Sequence, residues 1–292
     1  MNDRARYDGE RVVVVEVGPR DGLQNEKGTI STGDKIAFVD MLTAAGLPVI
    51  EVSAFVSPRW VPQMADAEQV FGGITRAGGT RYTALVPNIA GLERAQKAGV
   101  TEVAIFAASS ETFSRKNINQ SIEESLVTYK QVCDGALSAG MKVRGYLSTA
   151  FGCPYEGNVP ADTVATLSER LIDLGVFEVA VSDTIGIARP PDVSRVLDPL
   201  LARVPARRVA LHFHDTRGQA LANVEAALPF GIRTFDASAG GLGGCPYAPG
   251  APGNLATGDL IQLLNELGIE TGVSLDKLMQ ASTFVRSRLT RP

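Results

Sequence analysis

The sequence predicts a (β/α)8 TIM barrel, and three observations carry the prediction. Short β-branched runs alternate with amphipathic helical stretches eight times. Most of these runs are almost continuously apolar, as parallel strands buried on both faces must be. No GxGxxG follows the first run, and polar residues recur at many strand ends rather than at one switch point, which sets aside an open doubly wound sheet. The 292 residues exceed the roughly 250 such a barrel uses, leaving room for a short tail.

In chain order, VVVVEVG from Val12 forms the first strand, and a helix over 35–45 follows it and stops at Gly46. VIEVSAF from Val49 leads into a helix over 64–74, and RYTALV from Arg81 into one over 90–98, ended by Gly99. EVAIFAA from Glu102 precedes a long helix over 122–139, capped by Gly140. VRGYLSTA from Val143 and a helix over 162–174 before Gly175 come next, then EVAVSD from Glu178 with a helix over 192–201. VALHFHD from Val209 is paired with a helix over 220–228, and TFDASAG from Thr234 with one over 256–267 that ends at Gly268. Glycine after a helix is the usual stop, because it accepts the left-handed turn that closes the last carbonyls. The expected organisation is a single barrel domain over 1–292, with 269–292 a helical tail packed on its outside.

Composition narrows the function. Hydrophobic residues make up 45% and charged residues 21%, the balance of a globular protein with a large core rather than a disordered chain. The net charge is 28 − 32 = −4 with no concentrated basic tract, so the electrostatic footprint of a nucleic-acid binder is missing. No apolar run reaches membrane-spanning length. The N-terminal MNDRARYDGE has neither an apolar signal core nor an acid-poor transit pattern, and the reading is cytoplasmic. Cys133, Cys153 and Cys245 form no CxxC pair, which argues against a disulfide framework or a thiolate zinc site.

In this fold the active site gathers at the C-terminal ends of the strands. Strand 1 runs into GPRDGLQNE, bringing Arg20 and Asp21 to the mouth; strand 2 carries Glu51, and strand 6 ends in Asp183. Strand 7 carries His212 and His214, the only two histidines in the chain. At i, i+2 on a strand both rings face the same way, as a pair of metal ligands requires. A lone histidine would read as a satisfied core residue; a pair at a barrel mouth reads as a metal site. Closing the barrel sets strand 8 beside strands 1 and 7, so Asp21, both imidazoles and Asn254 can meet. That sulfur-free set suits Mg²⁺ or Mn²⁺ better than structural zinc. Arg20 could alternatively be an internal ion pair with Glu16 or Glu51, and Asp183 a cap for the turn that follows, DTIG. Glu51 on a buried strand requires a partner such as Arg20. The stretch from Gly240 to Asn254, GGLGGCPYAPGAPGN, holds Cys245 in a backbone bent by glycine and stiffened by Pro246, Pro249 and Pro252, a loop suited to placing one reactive thiol.

These residues, with the motifs around them, resemble the 3-hydroxy-3-methylglutaryl-CoA (HMG-CoA) lyase family, a metal-dependent branch of the aldolase-like barrels. The likeness covers VEVGPRDGLQNEK at 15–27, KNIN at 116–119, SIEES at 121–125, GCPYEG at 152–157, SDTIG at 182–186, HFHDTRG at 212–218 and GLGGCPYAPGAPGN at 241–254. It implies retro-Claisen cleavage of an acyl-CoA thioester to acetoacetate and acetyl-CoA. Asp21, His212, His214 and Asn254 would hold the divalent cation, Mg²⁺ or Mn²⁺. Arg20 would stabilise the enolate oxygen and, with Gln24, contact substrate. Asp183, perhaps aided by His212, would handle the hydroxyl proton; Glu51 would position Arg20, and Cys245 would donate a proton to the product carbanion. The family analogy also implies a homodimer. Gly258 and Thr149 depart from the family pattern outside these positions. A related ester such as citramalyl-CoA is the alternative substrate. An isopropylmalate-type condensing synthase is the alternative reaction, although that class carries a region beyond the barrel and lacks the Cys245 loop. Lys27, Arg115 and Lys116 could meet CoA phosphates, and are equally well read as solvated charges.

Overall fold

The structure, a computed structural model, describes residues 7, 9–26, 28–243 and 253–289. Its elements run β1 (Val13–Glu16), α1 (Thr32–Ala44), β2 (Val49–Ala54), α2 (Ala67–Gly73), β3 (Arg81–Leu85), α3 (Ile89–Lys97), β4 (Glu102–Ala108), α4 (Glu111–Ile118), α5 (Ile122–Ser138), β5 (Lys142–Ser148), α6 (Ala161–Asp173), β6 (Glu178–Asp183), α7 (Pro190–Leu201), β7 (Val209–Phe213), α8 (Ala220–Ala227), β8 (Thr234–Ala237), α9 (Thr257–Glu266) and α10 (Leu275–Leu289). The strands pair in parallel from β1 to β8, and β8 closes on β1 with Val13 opposite Thr234 and Glu16 opposite Ala237. This is the predicted TIM barrel.

Three differences from the expected elements have local causes. Strand 1 ends at Glu16 because Gly18–Gly22 coils into one π-helical turn, closed by the Gly22 amide donating to the Val17 carbonyl at 3.1 Å. The helix expected over 64–74 is instead a 3-10 turn at Pro62–Met64 followed by α2. Helix α4 was not anticipated: it is polar and short. The Ser110 hydroxyl caps its start by accepting from the Phe113 amide at 3.3 Å, and Asn119, at φ 56°, ends it in the left-handed region.

Side chains alternate in and out along each strand. Val12, Val14, Phe213 and Phe235 join the large apolar layer between barrel and helices, whereas Val13, Val15, Val17 and Val49 form a small cluster of their own inside. Most of the remaining interior is polar, with Glu51, Arg144, Tyr146, Glu178, His212 and Asp236 all buried. Helix α10 packs along α1, joined by the ion pair of Arg288 with Asp34 at 2.9 Å. Arg286 of α10 also donates to the Gly240 carbonyl, tying the tail to the loop after β8.

Candidate active site

A cavity of about 650 Å³ opens where the strands end, lined by Arg20, Asp21, Gln24, Tyr146, Ser148, Ser182, Thr184, His212 and His214. The π-helical turn after β1 points Arg20 and Asp21 into it. The Arg20 guanidinium donates from Nε to Glu51 Oε2 at 2.5 Å and from Nη1 to Asp21 Oδ1 at 2.5 Å, and lies 5.4 Å from the centre of the Tyr146 ring. Its ion pair is therefore with Glu51 and Asp21. Glu16, the other acid considered for it, faces away and accepts from the Gly18 and Ala239 amides at 2.8 Å each and from the Thr257 hydroxyl at 2.7 Å. Burial opposes the charge on Asp21, but Arg20, His214 and His212 overcome it and hold the carboxyl well below the usual carboxylate range.

The two imidazoles meet Asp21 as expected. One ligand atom from each of Asp21, His212 and His214 lies within 4.8 Å of the others, and the two rings are 5.2 Å apart. Beyond β7 the chain pairs with the segment returning from the glycine-rich loop: the Asp215 amide donates to Gly253 at 2.8 Å and Leu255 to Phe213 at 3.0 Å. That return places Asn254 opposite His214. The Asn254 side-chain amide donates to Asp21 Oδ2 at 2.9 Å and to the Leu242 carbonyl at 3.0 Å, which fixes its orientation. Among the described residues, its carbonyl oxygen, Oδ1, is then buried with no hydrogen-bond donor. An unsatisfied buried oxygen beside a carboxylate and two imidazoles fits a hard divalent cation, which takes oxygen and nitrogen ligands.

Asp183 is buried beneath this group. Both its oxygens accept backbone amides of the next turn, Ile187 at 3.1 Å and Ala188 at 2.9 Å, the capping role that DTIG also suggests. Burial raises its pKa, and the two amides counteract that only in part. Gln24 lines the cavity. Lys116 also reaches its wall, its ammonium 4.0 Å from the centre of the Tyr155 ring, whereas Arg115 pairs on the surface with Glu111 at 3.9 Å. Cys245 and its prolines, and Lys27, lie outside the described residues; Cys133 and Cys153 are free thiols. Sequence reasoning passed over Tyr146 and Arg144, although R-G-Y in an otherwise apolar strand carried the signal: polar residues at i, i+2 point to one face.

Fold and site together define a TIM-barrel enzyme whose mouth carries a side-chain group able to hold a metal ion. The chain belongs to the HMGL-like family, whose model matches residues 11–285. It is 52% identical over 282 residues to the mitochondrial hydroxymethylglutaryl-CoA lyase of Gallus gallus, covering 97% of this chain and 95% of the relative. The crystal structure of the Bacillus subtilis HMG-CoA lyase superimposes with a TM-score of 0.96 at 51% identity, covering 98% of this chain and 96% of that one. An HMG-CoA lyase from Acinetobacter baumannii, solved with coenzyme A and 3-methylmalate, superimposes with a TM-score of 0.90 at 39% identity, covering 96% and 91%.

Proposed function

We propose that the protein cleaves 3-hydroxy-3-methylglutaryl-CoA to acetoacetate and acetyl-CoA. The observation that carries this reading is the convergence of Asp21, His212, His214 and Asn254 beside Arg20 in one cavity, in a chain about half identical to lyases of that name. Asp21, both histidines and Asn254 would hold Mg²⁺ or Mn²⁺, which supplies an electrophilic centre that gathers the substrate oxygens and offsets their charge. Asp183 takes the proton of the tertiary hydroxyl. The C–C bond then breaks, the new ketone forms, and the electron pair passes to the acetyl-CoA enolate. Arg20, held by Glu51, stabilises the enolate oxygen. Gln24 contacts the substrate, and Cys245 protonates the enolate carbon.

An acyl-CoA ligand accords with the coenzyme A bound to the Acinetobacter lyase. The companion reading is a cytoplasmic homodimer with a single barrel domain per chain. Among the described residues no helix is long and apolar enough to cross a membrane. The test is to incubate purified protein and Mg²⁺ or Mn²⁺ with 3-hydroxy-3-methylglutaryl-CoA and citramalyl-CoA, alongside Cys245→Ala. Fast cleavage of the methylglutaryl ester, largely lost in the variant, is the expected result. Preference for citramalyl-CoA would reassign the substrate.

A further inference from the structure

Below the cavity floor lies an ion network that the proposed chemistry does not touch. Arg144 and Asp236 are each 1% exposed, and a buried ion pair is weak evidence for stability because desolvating both charges offsets their attraction. Its geometry leads elsewhere. His212 on β7 and Asp236 on β8 stand opposite each other in register, with His212 Nδ1 3.3 Å from Asp236 Oδ2. Arg144 clamps the same carboxylate with both ends of its fork, Nη1 to Oδ2 at 3.1 Å and Nη2 to Oδ1 at 2.7 Å, while its Nε donates to Glu178 at 2.8 Å. Asp236 therefore cannot turn away from the ring.

We infer that Asp236, locked by Arg144, is a positioning residue that fixes the tautomer of His212 and so presents the Nε2 lone pair of that ring to the cation site. This rests on the metal role proposed for His212. A carboxylate only accepts, so the nitrogen facing it carries the hydrogen. With the hydrogen on Nδ1 the ring keeps one lone pair, on Nε2, and the ring lies within ligand reach of Asp21 and His214. Outer carboxylates that hold a ligating imidazole in this way raise its basicity and fix its plane.

The chain has only two imidazoles, so the test is direct. Long-range ¹H–¹⁵N correlation spectra of the full chain, stripped of divalent ions and held at about pH 9, above the usual imidazole range, report which nitrogen of each ring is protonated; His214→Gln assigns the signals. His212 protonated on Nδ1 is expected, and His212 protonated on Nε2 in the unmutated protein overturns the inference without recourse to any variant. Asp236→Asn presents an amide NH₂ to Nδ1, and is expected to move the ring proton to Nε2 and to weaken Mn²⁺ binding, read by calorimetry, by roughly 10- to 100-fold. Equal Mn²⁺ affinity in the two proteins overturns the positioning role alone. No Mn²⁺ binding by either overturns the metal reading and this inference with it.

Discussion

Arg20 is the residue on which the proposed chemistry turns. Its guanidinium is buried and held by two carboxylates, so the positive charge is fixed before any substrate arrives and costs no reorganisation when charge develops. Arg20→Met is expected to lower kcat about 10²- to 10³-fold, with a smaller change in KM, measured by steady-state release of acetyl-CoA. Glu51→Ala removes the Nε anchor while leaving Arg20 in place; a loss of about 10²-fold in kcat, of the size displaced catalytic groups produce, is expected in the same assay. Equal activity of Glu51→Ala and unmutated protein would show that Asp21 alone suffices to orient Arg20.

At the scale of elements, the loop after β8 and the turn after β1 are built against each other. Gly243 sits at φ +95°, and a β-carbon there would lie 2.6 Å from the Asn254 side-chain nitrogen and 3.1 Å from the Asp21 carbonyl. Gly243→Ala is therefore expected to push Asn254 off Asp21, weakening Mn²⁺ binding about tenfold or more and destabilising the fold by about 1–3 kcal/mol, checked by calorimetry and urea unfolding. Glu16 links the same two segments and the start of α9. Burial, opposed by its hydrogen bonds to Thr257, Ala239 and Gly18, raises its pKa from 4.5 to about 7. Because the folded value is the higher one, the stability gained from the protonated carboxyl is fully present below about pH 4.5 and is lost as pH rises through about 7. A shift of that size corresponds to about 3 kcal/mol. Glu16→Gln keeps the shape without the titration, so the unfolding free energy of the unmutated protein relative to this variant should fall between about pH 5 and pH 8; a flat difference would contradict the assignment.

For the whole molecule, the barrel was legible because buried parallel strands leave an apolar signature that few other folds share. β4 and β6 fall where EVAIFAA and EVAVSD predicted. The polar helix α4 was not legible, since caps at Ser110 and Asn119 rather than an apolar stripe define it. The convergence of these side chains was readable because His212 and His214 share a strand face and barrel closure brings Asp21 and Asn254 to them. Its support was not: Asp236 and Arg144 lie 92 positions apart, and only the closed barrel sets them in contact. On the proposed function, this convergent set holds a divalent ion on which cleavage depends. The most direct measurement is turnover of 3-hydroxy-3-methylglutaryl-CoA after chelation and again after restoring Mg²⁺ or Mn²⁺, with Asp21→Ala treated in parallel. Activity that vanishes with chelator, returns with metal and is absent from the variant under all conditions is the predicted result; turnover that persists in chelator, or in Asp21→Ala, would rule out a reaction dependent on a metal held by Asp21.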